Sequence, residues 1–159
     1  GSVIAGATPF LVLNETAKGR VAYFANDVGQ AYFTSPYQYE RRLITGAARW
    51  SAEEVAPPIS VEAPMCVQAT YFKQELPQRT IVHLLNEINS TAGRALPPGS
   101  PPMREEIVPI RDITIRFKDR TLKQTFLEPE HEQLQTRMDG KDSVVNVPEL
   151  RLHSMVVAE

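Results

Sequence analysis

From Ile59 to Val157 the sequence breaks into about eight short apolar runs at close spacing, and this pattern constrains the fold more than any other feature. The candidate strands are Ile59–Glu62, Cys66–Gln74, Thr80–Glu87, Ile113–Phe117, Leu122–Leu127, Leu134–Met138, Val144–Val147 and Leu150–Val157. In one of them Ile113, Ile115 and Phe117 alternate with Thr114, Arg116 and Lys118, which predicts a strand with one face buried. Asp139-Gly140 is a hairpin-turn signal. Ile81–Leu85 is apolar on both parities except at His83, so it is placed centrally in a sheet, with His83 as a core histidine bonded to backbone. The whole predicts an antiparallel β-sandwich over 57–159.

The region before Ala56-Pro57-Pro58 has a different pattern. Pro9–Leu13 and Arg20–Ala25 are apolar runs on either side of a polar turn, Asn14–Gly19, and predict a β-hairpin. Both are apolar almost throughout, as in strands covered on two faces, and this short region does not supply the cover. A helix follows, with Ser35 as N-cap, Pro36 in the first helical position and Gln38 completing a capping box. Tyr39, Leu43, Ile44, Ala47, Ala48 and Trp50 form its apolar stripe. The chain therefore reads as mainly β: residues 1–56 give a hairpin and one helix, the remnant of an α/β domain, and 57–159 give the sandwich. Gly1-Ser2 reads as a protease scar, so the natural chain is expected to extend upstream. Residues 89–109 form a long proline-rich loop, with Pro97, Pro98, Pro101, Pro102 and Pro109.

Composition excludes several classes. The net charge is −2, and neither part of the chain carries the basic excess of a nucleic-acid binder. No apolar run reaches the roughly 18 residues of a membrane span. Cys66 is the single cysteine, so no internal disulfide or cysteine-based zinc site can close, which fits a reducing, cytoplasmic setting. No metal or cofactor is expected.

No catalytic constellation emerges from the spacing of reactive residues. His83, His131 and His153 lack metal-ligand spacing. His153 reads as outward-facing on a strand, and His131 as a solvated turn residue among Glu128, Glu130 and Glu132. Glycoside hydrolysis needs two facing carboxyl groups, but the pairs Glu53-Glu54 and Glu105-Glu106 are sequence neighbours that do not normally face one pocket. There is no Gly-x-Ser-x-Gly elbow and no phosphate loop. Aromatics cluster between Tyr23 and Trp50. Tyr37 and Tyr39 are the candidate carbohydrate-stacking residues, and Leu43, Ala47 and Trp50 the candidate interface stripe.

The stretch Gly19-Arg20-Val21-Ala22-Tyr23-Phe24-Ala25-Asn26-Asp27-Val28-Gly29, the pair Tyr32-Phe33 and the helix end Ala47-Ala48-Arg49-Trp50 resemble the second domain of certain glycosidases. His83-Leu84-Leu85-Asn86, Ile107-Val108-Pro109-Ile110-Arg111-Asp112, Val147-Pro148-Glu149-Leu150 and His153-Ser154-Met155-Val156-Val157 continue the resemblance. The pattern is similar to the tail of bacterial β-galactosidase-related and α-fucosidase-related hydrolases. There a catalytic barrel precedes an amidotransferase-like trimerisation domain and a β-sandwich. The resemblance implies that 1–56 closes the trimerisation domain and that 57–159 is the C-terminal sandwich. It also implies that the catalytic acids belong to a barrel outside this chain. The expected role is a non-catalytic module packing on the barrel or a sister subunit. The alternative is a carbohydrate-binding module using Tyr37 and Tyr39.

Overall fold

In the computed structural model, which describes residues 9–35, 37–53, 55–88 and 106–159, alternation after Pro57 produces strands that pair antiparallel throughout. Most of the loop 89–109 therefore lies outside the described residues. In chain order the elements are β1 (Leu11–Thr16), β2 (Gly19–Phe24), α1 (Val28–Thr34), α2 (Gln38–Ser51), β3 (Ile59–Glu62), β4 (Val67–Gln74), β5 (Arg79–Asn86), β6 (Ile110–Phe117), β7 (Thr125–Glu128), β8 (Glu132–Gln133), β9 (Thr136–Asp139), β10 (Asp142–Leu150) and β11 (His153–Ala158). They divide between two units, Gly1–Ala56 and Pro57–Glu159.

In the first unit β1 and β2 form a two-stranded antiparallel ribbon. The polar stretch expected as a turn contributes to the ladder instead: Asn14, Glu15 and Thr16 pair with Val21, Arg20 and Gly19, leaving Ala17-Lys18 as the turn. Two local bonds favour this tighter closure. Arg20 ion-pairs across the strands with Glu15 at 3.1 Å, and the Thr16 hydroxyl donates to the Gly19 carbonyl at 3.1 Å. Gly19 itself has φ +143°, a conformation that side-chain-bearing residues rarely adopt.

The helical part differs from the sequence expectation at its start. A short helix, α1, precedes the expected one, with the Asp27 carboxylate accepting from the Gln30 amide at 2.9 Å. Seven residues are too few for hydrophobic periodicity to register. Ser35 does not cap α2; it ends α1, its amide donating to the Ala31 carbonyl at 2.8 Å. Tyr37 takes the N-cap position of α2 with no side-chain capping bond, so the capping box does not form. Pro36 lies outside the described residues. Along α2, Ala47 is the buried member of the stripe, while Ile44 and Trp50 are half-buried and Leu43, Tyr39 and Ala48 are exposed. The helix packs on β2 and touches α1.

The second unit is a sandwich of a four-stranded sheet, ordered β3-β6-β10-β9, and a five-stranded sheet, ordered β4-β5-β11-β7-β8. Period-two alternation sets its interior. Ile113, Ile115 and Phe117 of β6, with Val145 and Val147 of β10, meet Val82 and Leu84 of β5, Leu127 of β7 and Val156 of β11 in one core. The hairpin expected at Asp139-Gly140 forms, with Asp139 paired to Asp142 and Gly140 at φ +65°. The stretch expected to stop at Val147 continues to Leu150 within β10. Proline lacks an amide to donate, and the β10–β6 register skips Pro148 and Asp112, where Asp112 adopts φ +56°. Leu122 and Leu134, expected at strand starts, are buried just before β7 and β9.

Asp142, on the β9–β10 hairpin, ties that hairpin to the end of β6. Its Oδ1 accepts from the Asp119 amide at 2.9 Å, and its Oδ2 from Arg116 Nη1 at 3.2 Å. Arg116 also donates to Asp139 at 2.8 Å. The Asp119 amide, followed by the Arg116 guanidinium, holds the Asp142 carboxyl below the usual carboxylate range. Protons therefore bind the unfolded chain more readily than the folded one. The stabilisation is complete above the ordinary aspartate value of about 3.9 and fades as pH falls through the lower folded value. Asp142→Asn is expected to lower the melting temperature at neutral pH, with the gap to wild type closing under acid. A gap that widens towards acid would contradict the clamp.

Candidate functional site

Two surfaces bring chemically informative side chains together. On the first unit, Tyr37 at the N-cap of α2 and Tyr39 in its first turn lie parallel, with ring centroids 5.5 Å apart and planes 8° apart. They are 56% and 67% exposed. Two near-parallel open rings present apolar faces against which the C–H side of a sugar could lie. Further along α2 the half-buried Trp50 ring receives the Arg20 guanidinium from β2, 5.5 Å from its centroid. Leu43, Ala47 and Trp50 thus have different surroundings: Ala47 is 7% exposed, Trp50 sits under Arg20, and Leu43 is open.

The second surface is the outer face of the five-stranded sheet, which the sequence reading did not assemble. Strand register sets Phe72, Ile81, Val157 and Phe126 in one row across β4, β5, β11 and β7. Thr70, His83, Met155 and Glu128 form the next. His83 is therefore not a core histidine. Val82 and Leu84 occupy the inward positions of β5, so the residue between them must point outward. Its Nδ1 lies 3.1 Å from His153 Nε2, the two rings stack 5.4 Å apart, and Phe72 meets His83 edge-on at 5.5 Å. His131, exposed in its turn as expected, bonds Glu128 at 2.7 Å and stacks on Phe126 at 4.7 Å. Alternation within each strand showed which residues share a face. Which strands are neighbours is a long-range fact, and no local pattern carries it.

The described residues do not hold both members of either acidic pair that the sequence offered. Glu54 and Glu105 fall outside them. Asp139 and Asp142 do approach one another, but around Arg116, which engages both. Among the described residues no group of three or more His, Cys, Asp or Glu converges as a metal site, and no helix is long and apolar enough to cross a membrane.

Comparison with known proteins gives a fold likeness. No protein-family model matches the chain, and no curated protein sequence does. Among solved structures, α-L-fucosidase isoenzyme 2 from Paenibacillus thiaminolyticus superposes over 95% of this chain with a TM-score of 0.69 at 24% identity. The chain covers 22% of that protein's length. A cycloisomaltooligosaccharide glucanotransferase from Paenibacillus sp. aligns over 69% of this chain, and 19% of its own, with a TM-score of 0.40 at 17% identity. The first of these shows a shared fold.

Proposed function

We propose that this chain is a non-catalytic structural and interaction module of a bacterial glycoside hydrolase-like protein, acting in domain packing or oligomerisation. The observation that carries the reading is the β1–β2 ribbon. Val12, Val21 and Tyr23 are exposed together on one face of it, and Leu13 is exposed on the other. A two-stranded ribbon is marginal by itself in water, and contiguous exposed apolar side chains mark contact surfaces. The partner that fits is the catalytic barrel of the parent protein, or a sister subunit. In this reading 1–56 is the closing hairpin and helical part of an amidotransferase-like trimerisation domain, and 57–159 is the C-terminal sandwich. The fold shared with a fifth of a much longer fucosidase supports a place as one part of a larger enzyme.

Two outcomes test this. The purified chain should not hydrolyse aryl β-galactosides or α-fucosides above a buffer blank. Turnover that disappears when an acid of this chain is replaced would refute the reading. In addition, Val21→Ser and Tyr23→Ser should each change stability by no more than about 0.5 kcal/mol, since exposed side chains away from special features contribute little. Losses of several kcal/mol would mean that the ribbon face belongs to the chain's own core.

The second reading, carbohydrate binding at Tyr37 and Tyr39, draws on their near-parallel exposed rings. It requires saturable shifts of the Tyr37 and Tyr39 ring resonances on titration with galactose or fucose.

A further inference from the structure

The closed end of the β4–β5 hairpin and the segment after β6 border a half-open pocket of about 540 Å³ whose lining has an uncompensated charge. Lys73, Arg79 and Arg120 contribute three cations to it, against the single carboxylate of Glu75. Among the described residues none of these cations forms an ion pair, whereas Arg111 and Arg116 in the same unit each have carboxylate partners.

Both arginines are half-buried and fixed by neutral acceptors. Arg79 Nε donates to Gln74 Oε1 at 2.6 Å. Arg120 Nη1 donates to the hydroxyl of Thr80, which is 1% exposed. Such bonds orient a guanidinium without neutralising it. Each uses one of five N–H donors, and the remaining donors retain the fork geometry that matches a planar or tetrahedral oxyanion. A cation partly removed from water with no counterion is a cost that a bound anion relieves. The pocket falls within the usual size of small-molecule sites and exceeds what a bare ion fills.

We propose that this pocket binds an organic oxyanion, a carboxylate, sulfate or phosphate group carried on a sugar-sized molecule, with Arg79, Arg120 and Lys73 as its cationic ligands. The site lies wholly within 57–159 and does not depend on the packing role proposed above.

Calorimetric titration of the 159-residue chain with glucuronate, inorganic sulfate and uncharged galactose tests the assignment. Glucuronate should bind saturably at one equivalent, more tightly than sulfate, and weaken with added salt. Galactose should leave the site unoccupied. Arg79→Gln and Arg120→Gln should each weaken glucuronate binding about tenfold or more, as expected when a charge-assisted bond is lost. Because Arg120 braces Thr80, Lys73→Gln serves as a variant at an exposed position that keeps the fold, and it should also weaken binding. Absence of saturable glucuronate binding overturns the proposal. So does binding of sulfate in preference to glucuronate, galactose binding equal to glucuronate, or full affinity in the folded Arg79→Gln and Lys73→Gln chains.

Discussion

Phe117→Ala is expected to remove about 3–5 kcal/mol of unfolding free energy, the range for truncating a large aromatic in a core that cannot collapse around the gap. Phe117 closes β6 on the inner face of the four-stranded sheet. It stands opposite Ile59 on one side and Ser143 on the other, and is 1% exposed. Domains of this size have total stabilities of about 5–15 kcal/mol, so the loss is a large fraction of what holds the sandwich together. Phe72→Ala provides the contrast. Its ring lies on the outer face of the five-stranded sheet, is 61% exposed and meets the His83 ring edge-on, so its removal should cost no more than about 1.5 kcal/mol. Urea unfolding of the two variants measures the difference directly. Equal losses would show that the faces of the two sheets are wrongly assigned, and with them the outer surface that carries Phe72, His83 and Phe126.

The second large effect is expected at the ribbon turn. Gly19→Val forces a β-branched residue to φ +143°, a strain of about 1–3 kcal/mol with no steric gain, since no atom lies within 4 Å of the added Cβ. Gly46→Ala, in the interior of α2, also meets open space, but there the backbone is helical. It should be neutral or stabilising by up to about 1 kcal/mol. The single tryptophan makes the comparison visible. Arg20 follows Gly19 and lies over the Trp50 ring, so a disturbed turn should alter Trp50 emission in the native protein. Gly46→Ala should leave the emission unchanged. Matching melting curves and emission spectra for the two variants would show that Gly19 is not under conformational constraint.

Local physics made the strand content legible. Alternation at Ile113–Phe117 and the Asp139-Gly140 turn describe interactions within a few residues, and the folded chain has both. The α2 stripe was legible in spacing but only partly in burial. An isolated helix cannot specify which of its apolar residues another element covers; β2 and α1 decide that, and they leave Tyr39 and Leu43 open. Where local preferences competed, the stronger one did not always prevail in the fold. Ser35 suited a helix start by its hydroxyl, yet its backbone is occupied in closing α1. His83 suited a core by its apolar neighbours, yet alternation turns it outward beside His153, a residue seventy positions away.

The sequence by itself determined the class of structure, because strand periodicity, glycine at positive φ and proline breaks are properties of adjacent residues. Only the tertiary structure decided which side chains share a surface. The β4–β5–β11–β7 order brings four separate segments into one aromatic and histidine-bearing face. The meeting of Arg79 with Arg120 depends on a hairpin of one sheet reaching the segment that leaves the other. Such encounters are fixed by long-range pairing and by burial of the common core, and residues distant in sequence carry no local mark of them.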